Sequence, residues 1–449
     1  MKRNIFKIIG FVLLSFSVIA ICYFTKRTEF LSLIQLSIIG WIGSLLFIQN
    51  YKAKDTFLWI FLGIILKLIL LFSTPQLSDD YYRFFWDGTL VANSENPYLN
   101  TPLEISENNE LSNFQKGLYD GMNSKEYFAV YLPFNQIIFG IISFFGTENL
   151  LHQLIGIRLL FLLSETLLFI FIWRQKKLNR WWFLFFFNPF IMVESYGNLH
   201  FELLMVCLFA IGYFYLKNFS LKGFFLGLGA AVKPYILLFL PFVFIKQFKQ
   251  IKILSTTIGF FIGFGFWWLL FLYPQAYQNM LQSILLFIKT FEFNASIFYL
   301  VRWLGFEIVG YDVIKTVGPI MSFIVMGVLT TLVFASLKKP KQALNFGLYG
   351  YTFYLLMATT VHPWYIIPLL FIAAITKHIY PFVWAMLIWF SYKAYQTEVV
   401  SESALMLCLE YLPVFSIAAI EIYFRNKSNP IFLQNLLLNL YTSQKQSVK

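Results

Sequence analysis

The stretch IIGFVLLSFSVIAICYF, residues 8–24, is predominantly apolar and long enough to cross a lipid bilayer as one helix. Two more runs follow at Leu31–Gln49 and Phe57–Phe72, and similar runs recur between short basic segments along the chain. Hydrophobic residues make up 59% of the 449 residues, which is more apolar length than the core of a soluble domain buries. The sequence therefore predicts an all-α polytopic membrane protein with about thirteen transmembrane helices.

The charged residues follow the pattern of the apolar runs. Lys2, Arg3 and Lys7 precede the first run as in a signal peptide, but no small-x-small cleavage site follows, so we interpret this run as a retained anchor. The net charge of +12 comes from short basic clusters between apolar runs, which indicates membrane topology and predicts no nucleic-acid partner. The three cysteines lie inside apolar runs without metal-site spacing and are predicted to be packing residues.

The charge distribution also predicts which face each segment reaches. With the basic N-terminus inside, the third helix delivers the chain to the outer face at residue 73, and Thr74–Tyr127 carries nine acidic residues against three basic ones. We therefore predict an extracytoplasmic loop over residues 73–156, whose apolar run Phe128–Phe145 lies in the membrane plane or re-enters. The chain, 1–449, is predicted to form a single membrane-embedded domain with a cytoplasmic tail over residues 425–449.

A polar cluster, SDDYYRFFWDG, follows the third apolar run at residues 78–88. On a helix, Asp80, Arg83 and Asp87 share one face, and Asp79 and Trp86 flank it. Carboxylates beside a guanidinium can accept a proton, hold a hydroxyl or bind a divalent cation such as Mg²⁺ or Mn²⁺, with Asp79, Asp80 and Asp87 as the candidate ligands. The alternative is a solvated helix start, and the aromatic residues around it fit either an interfacial belt or a sugar-stacking platform.

Three further polar features are predicted to face the same outer side. The segment ESYGNLHFE, residues 194–202, places His200 and Glu202 at a turn between apolar helices, where His200 can bind phosphate or a hydroxyl and Glu202 can orient it, although an ordinary polar hairpin tip remains the alternative. Lys233 interrupts an apolar stretch before Pro234, which predicts two short helices and a phosphate-binding cation. His362 precedes another predicted break, in the sequence VHPWY.

Arg158 and Glu165 lie on one face of the apolar segment 156–173. Because a charge buried in lipid needs a partner, we predict a mutual or interhelical ion pair rather than a catalytic role for these two residues.

The order of these motifs resembles the GT-C glycosyltransferases, specifically the polyprenol-phosphate-mannose-dependent mannosyltransferases. The matching elements, in chain order, are Asp79-Asp80-x-Tyr82-Arg83-x-x-Trp86-Asp87-Gly88, Asn96-Pro97-Tyr98, Tyr131-Leu132-Pro133, NPFIMVESYGNLHFELLMV, GLGAAVKPYILLFLP and HPWY. The similarity runs from about residue 75 to residue 370. The sequence departs from the family pattern at Leu132, where a second proline is frequent, and at Glu202, where Asp is usual.

The resemblance implies a GT-C-like helical bundle that transfers a hexose, mannose above all, from a polyprenyl-phosphate sugar to a glycan or lipid-linked acceptor, with inversion. It implies an active site on the extracytoplasmic side of the plasma (inner) membrane. An aspartate of the first outer loop is the general base in that family, which indicates Asp80, with Asp79 as its rival because the doubled Asp leaves the register open. The residues indicated for the donor phosphate and sugar are Arg83, Lys233, His200, His362, Glu202, Tyr82, Trp86 and Asp87.

Two other classes of protein fit an outward polar cavity in a membrane bundle. A lipid-linked glycan transporter or flippase usually shows related halves and a cavity on each side, and neither is visible in this sequence. A glycan polymerase or ligase needs a larger acceptor channel, which a sequence cannot reveal.

Overall fold

The computed structural model describes residues 2–50, 55–215, 218–247, 252–271, 273–397 and 399–426. Of the predicted cytoplasmic tail, all but the first two residues lie outside these ranges. Within them the chain is helical, and a single parallel β-bridge joins Phe293 to Thr360.

The helices are numbered in chain order. The first half of the molecule contains α1 (Lys2–Phe24), α2 (Phe30–Gln49), α3 (Thr56–Leu70), α4 (Asp80–Ala92), α5 (Pro102–Asn108), α6 (Asn113–Gly121), α7 (Pro133–Gly146), α8 (Leu150–Arg174), α9 (Arg180–Phe186), α10 (Pro189–Met192) and α11 (Glu202–Tyr215). The second half contains α12 (Phe219–Val232), α13 (Leu240–Gln247), α14 (Ile253–Gly265), α15 (Pro274–Thr290), α16 (Ile297–Val309), α17 (Ile314–Lys338), α18 (Ala343–Met357), α19 (Ile367–Thr376), α20 (Tyr380–Leu387) and α21 (Ala404–Asn426).

Six helices of the described chain are long and apolar enough to cross a membrane, and a bent pair raises the number to seven. The six are Asn4–Phe24, Phe30–Gln49, Leu150–Arg174, Ile253–Phe271, Ile314–Lys338 and Ala404–Arg425, and five shorter apolar helices accompany them. The chain is therefore a multi-pass, all-helical membrane protein, while the predicted number of about thirteen crossings is not confirmed. The break predicted at Lys233 is confirmed, since α12 ends at Val232 and a 3₁₀ turn, Pro234–Phe239, leads into α13.

The predicted outer loop is a layer of short helices packed on one another. Capping boxes at Thr101 and Ser112 begin α5 and α6. Each hydroxyl accepts the backbone N–H of the third helical residue, and the side chain of that residue, Glu104 or Gln115, accepts the backbone N–H of the capping residue. The apolar run 128–145 forms α7, only 14 residues long, which packs along α4. Gly88 permits this approach, because a Cβ at that position would lie 2.6 Å from the carbonyl oxygen of Phe139.

Helices α9 to α11 form one apolar stretch that is sharply bent at a break after Gly197. Residues Arg180–Gly197 and Glu202–Phe214 meet at 113°, and a π-helical turn, Val193–Gly197, occupies the break. Such a break frees backbone carbonyls that must find other donors in an apolar interior. The Arg158 guanidinium supplies them: it donates to the carbonyl oxygens of Tyr196 at 2.6 Å, Leu71 at 2.8 Å and Gly197 at 3.2 Å.

Glu165, which lies on the same face of α8 about two turns after Arg158, has a different partner. Its carboxylate lies 2.6 Å from the Lys67 ammonium of α3 and also accepts the Tyr196 hydroxyl at 2.6 Å. The interhelical ion pair is therefore confirmed for Glu165, whereas Arg158 binds backbone carbonyls instead of a carboxylate. The mutual pair fails because the broken helix offers the guanidinium two carbonyl acceptors and the end of α3 offers a third.

Helices α12 and α14 make the closest helix–helix contact of the fold. Four glycines, Gly223, Gly227, Gly259 and Gly263, face the opposite backbone, and a Cβ added at Gly259 would lie 1.9 Å from the Ser220 carbonyl oxygen. Small residues let membrane helices approach to backbone contact, where dispersion forces hold them. At Gly265, also in α14, an added Cβ would have no heavy atom of a neighbouring residue within 4 Å.

This contrast predicts opposite effects of one methyl group in the same helix. Gly259→Ala should lower the free energy of unfolding by roughly 1–3 kcal/mol, because the helices must separate. Gly265→Ala should leave stability unchanged or raise it, since alanine is the better helix former. Thermal unfolding of the two purified variants in one detergent measures the difference. Equal melting temperatures would mean that α12 and α14 are not in backbone contact.

Candidate functional site

Asp80 is the first residue of α4, and its carboxylate lies where the predicted outer loop meets the broken helix. The side chain is 34% exposed, and its Oδ2 atom lies 3.9 Å from Nε2 of His200. Within the described chain, no closer ionic partner is found for this carboxylate. Asp80 is therefore held near a cation-forming ring while part of it remains open to a ligand.

His200 is fixed by Glu194, not by Glu202 as the spacing of the motif predicts. Its Nδ1 atom lies 2.9 Å from Oε2 of Glu194, which also accepts the Asn198 amide at 3.2 Å. The other carboxylate oxygen accepts the Tyr392 hydroxyl at 2.8 Å. All side chains from 194 to 202 are buried, so the alternative interpretation of this segment as a polar hairpin tip is wrong.

Glu202 and Lys233 form a second ionic contact on the same side. The Lys233 ammonium lies 3.6 Å from Oε1 of Glu202, which also accepts the Tyr235 hydroxyl, and 5.6 Å from the centre of the Tyr131 ring. Lys233 follows the last residue of α12 in an extended conformation, where the negative end of the helix dipole favours a cation. Its side chain remains 24% exposed, so the ammonium is still accessible.

His362 and His200 are joined through Trp364. The indole ring stacks on His200 with centroids 3.5 Å apart and on His362 with centroids 4.5 Å apart. Burial, together with the nearby charges of His200 and Lys233, lowers the pKa of His362 to about 3. His362 is therefore neutral at physiological pH and can serve as a hydrogen-bonding group but not as a phosphate-binding cation.

Three buried polar atoms around Asp80 have no hydrogen-bond partner within the described chain. They are Nε2 of His200, Oε2 of Glu202 and Nδ1 of His362. Buried polar groups are almost always hydrogen-bonded in folded proteins. The unpartnered Nε2 of His200, 3.9 Å from Asp80, marks a position where a polar ligand fits.

Asp79 points away from this cluster. Its carboxylate lies 2.7 Å from the Arg27 guanidinium, which also lies over the Tyr395 ring at 5.3 Å. The ion pair occupies one oxygen of Asp79 and fixes the start of α4 against the turn between α1 and α2. Of the two adjacent aspartates, Asp80 is thus the one whose carboxylate faces the unpartnered atoms.

Arg83 and Asp87, farther along α4 than Asp80, form an ion pair with each other. Nε of Arg83 lies 2.7 Å from Asp87, which also accepts the Gln136 amide at 2.9 Å, and Nη1 donates to the carbonyl oxygens of Ser124 and Tyr127. One guanidinium nitrogen, Nη2, is buried without a partner in the described structure. The pair holds the loop together, and a role for either residue in donor binding stays a prediction.

The two aromatic residues predicted to bind sugar are part of the loop packing. Tyr82 stacks on Tyr81 at 4.1 Å, and its ring fills the space beside Gly121. Trp86 is 1% exposed and packs on Tyr119 at 6.0 Å. These contacts account for both rings structurally, so their role as a sugar platform stays a prediction.

Partial burial raises the pKa of the Asp80 carboxyl group. His200 and Lys233 oppose this shift, and Asp79 and Glu202 add to it. A carboxylate with a raised pKa binds a proton more strongly than an ordinary aspartate, which suits a general base. The electrostatics of the cluster therefore agree with the role that the loop sequence indicates for Asp80.

The predicted divalent-cation site consists of the carboxylates of Asp79, Asp80 and Asp87. Asp79 and Asp87 each have an arginine partner, and the described residues contain no group of three or more His, Cys, Asp or Glu side chains placed to hold a metal ion. A divalent cation at these carboxylates stays a prediction.

Several residues of the site escape sequence reasoning. Arg27, Tyr235, Trp364 and Tyr392 come from four distant segments, and no spacing rule connects them to Asp80. Glu194 was visible as a carboxylate in an apolar segment. Its place opposite His200 depends on the π-helical turn, which shifts the register by a residue and has no simple sequence signal.

Residues 32–249 match the family model described as the N-terminal domain of alpha-(1->6)-mannopyranosyltransferases. The match covers just under half of the chain and includes Asp80, His200, Glu202 and Lys233, but neither His362 nor Trp364. No curated protein and no solved structure matches the chain. Together with the apolar helices, the match supports a mannosyltransferase-like membrane enzyme.

Proposed function

We propose that the protein is an integral-membrane GT-C-type glycosyltransferase. It transfers a hexose, mannose above all, from a polyprenyl-phosphate sugar to a hydroxyl of a glycan or glycolipid acceptor, with inversion at the anomeric carbon. The observation that carries the proposal is the position of Asp80. This carboxylate lies 3.9 Å from the unpartnered Nε2 of His200, within the range that matches the mannopyranosyltransferase model.

The cluster supplies the two functions that a single displacement requires. Asp80 accepts the acceptor's proton as its oxygen attacks the anomeric carbon, and a cation stabilises charge on the departing phosphate. Lys233 is placed for the second task, because its ammonium is partly exposed and close enough to Asp80 and His362 to influence the pKa of both. Glu202 and Tyr131 hold that ammonium in position.

An apolar cavity beside the loop supports a donor with a lipid chain. It has a volume of about 330 Å³ and is lined by aromatic and aliphatic side chains, among them Tyr98, Trp268, Phe271, Tyr277 and Met280. Tyr98 at its edge donates a hydrogen bond of 2.6 Å to the carbonyl oxygen of Tyr131, whose ring lies under Lys233. A lipid phosphate could therefore place its chain in the cavity and its head group near Lys233.

We further propose that the site faces the extracytoplasmic side of the plasma (inner) membrane. Support comes from the acidic loop around α4 and from the basic segment Arg174–Arg180, which the positive-inside rule assigns to the cytoplasm. Because α7 has only 14 residues and packs along α4, the loop can begin and end on one face. The exposed part of the Asp80 side chain would then face away from the cytoplasm.

The donor class is tested directly with purified protein. Polyprenyl-phosphate mannose and a mannoside acceptor should yield product together with free polyprenyl phosphate, because the proposed site contacts a lipid phosphate. GDP-mannose should give no product, since the sequence contains no Gly-rich loop to hold a nucleotide diphosphate. Turnover with GDP-mannose in the absence of any lipid carrier would refute the proposal.

The base is tested by two neighbouring substitutions of equal size. Asp80→Asn should lower kcat by about 10²-fold or more, the usual cost of losing a general base, and leave folding intact. Asp79→Asn should cost much less, because Asp79 pairs with Arg27 and only anchors α4. Steady-state kinetics of both variants decide the matter. A large loss in Asp79→Asn alone would assign the base to Asp79.

The orientation is tested by cysteine labelling in intact cells, after Cys408, the exposed native cysteine, is replaced by serine. A cysteine at Asn108, which is exposed at the end of α5, should react with an impermeant thiol reagent. A cysteine at Arg174, exposed at the end of α8, should react only after the cells are opened. Labelling at position 174 in intact cells would require the loop to cross the membrane.

A further inference from the structure

We propose that the proton removed by Asp80 passes to His200, where Glu194 stabilises it, so that Asp80 acts as the first member of a three-residue relay. The proposal rests on the proposed glycosyl transfer and assigns catalytic work to two residues of the broken helix. The buried Glu194–His200 pair and its alignment with Asp80 are the observations behind it.

The hydrogen bonds of His200 determine which nitrogen can take a proton. A carboxylate only accepts hydrogen bonds, so the contact of 2.9 Å with Glu194 places the ring proton on Nδ1. The lone pair then lies on Nε2, which is buried, has no partner in the described structure and lies 3.9 Å from Oδ2 of Asp80. Stacking on Trp364 keeps the ring in this orientation.

The distance between Nε2 and Oδ2 suits an oxygen between them. An acceptor hydroxyl within about 2.8 Å of Oδ2 can donate its single hydrogen to Asp80, and its oxygen then lies beside the 3.9 Å gap to Nε2 of His200, which receives no hydrogen bond from it. When that oxygen has bonded to the sugar and moved away, a shift of about 1 Å brings the two side chains within hydrogen-bond range. The proton can then move from carboxyl to imidazole.

The reaction balances with the groups that are present. The acceptor O–H bond breaks and its proton goes to Oδ2 of Asp80, while the acceptor oxygen bonds to the anomeric carbon. The bond from that carbon to the phosphate oxygen breaks, and its electron pair leaves with the lipid phosphate. The proton then moves to Nε2 of His200, and Asp80 returns to its carboxylate form. On product release, His200 loses the proton to water.

The surroundings favour a cation on His200 more than a protonated Asp80. Glu194 faces the ring on one side and Asp80 on the other, while Lys233 and the neutral His362 lie further out. Asp80, by contrast, faces the negative charges of Asp79 and Glu202 as well as the positive charge of Lys233. An imidazolium between two carboxylates is the best-compensated position for the proton in this cluster.

The Glu194→Gln variant isolates the charge of the pair. With its carbonyl oxygen at the Oε2 position, glutamine can still accept from Asn198 and His200, and its NH2 group can donate to the Tyr392 hydroxyl, which then acts as the acceptor. The ring therefore keeps its place while the negative charge is lost. We expect kcat to fall at least tenfold with KM within about twofold of wild type, because the relay step and not substrate binding depends on the charge.

Glu410→Gln is the matched control. Glu410 is also fully buried and also accepts from neutral donors, Asn294 and Trp384, but it lies outside the Asp80 cluster. Its substitution should leave kcat near the wild-type value. A fall in kcat of equal size in both variants would show a general effect of replacing a buried carboxyl group by an amide and would overturn the relay.

A second variant covers the case in which Glu194→Gln does not fold. His200→Ala should be as slow as Glu194→Gln, and imidazole in the buffer should restore part of its kcat by filling the space beside Trp364. Absence of rescue in a folded protein, or near-wild-type kcat in Glu194→Gln, would reject the relay. Wild-type protein that fails to use polyprenyl-phosphate mannose would instead reject the proposed function.

Discussion

The structure depends on one guanidinium that replaces the backbone hydrogen bonds of a broken helix. An apolar interior provides no water for free carbonyl oxygens, so a helix can break there only where another donor reaches them. Arg158 donates to three such carbonyls, two from the π-helical turn and one from the end of α3. Because Arg158 holds the break, the chain changes direction there, and Glu194 and His200 face the predicted outer loop. The site therefore originates in α8, a helix that contributes no side chain to it.

Neutralisation of neighbouring charges explains why one carboxylate of the loop remains reactive. Asp79 pairs with Arg27, Asp87 with Arg83 and Glu202 with Lys233. Burying an unpaired charge is costly, so these pairs form wherever an arginine or lysine is within reach. Asp80 is left with His200 at 3.9 Å and with a third of its side chain exposed. Burial raises the pKa of both aspartates of α4, but Asp87 is fully buried and paired with Arg83, whereas Asp80 keeps part of its side chain exposed.

Much of the fold and part of the site could be predicted from the sequence, for identifiable physical reasons. Apolar runs reveal membrane helices because the bilayer demands length and hydrophobicity, and Pro234 reveals its break because proline cannot donate a hydrogen bond. The loop motif indicated Asp80, and apolar context marked Lys233 and Arg158 as unusual. The partner of His200 could not be predicted, since the choice of Glu194 over Glu202 depends on the π-helical turn. Trp364 and Arg27 could not be found either, because contacts between distant segments leave no periodic signal.

The two contacts of His200 together explain why a histidine, and not another hydrogen-bonding residue, occupies this position. Its Nδ1 must donate to Glu194 while its other end meets Asp80, and among neutral side chains only imidazole carries a donor and a basic acceptor at opposite ends of a rigid ring. A glutamine could bridge the same two groups but could not take up a proton. Stacking on Trp364 prevents the ring from rotating into an alternative pairing with Glu202. The geometry around His200 thus suits transfer of a proton from Asp80 to Nε2 while the buried Glu194 stabilises the charged ring, and binding alone would not require it.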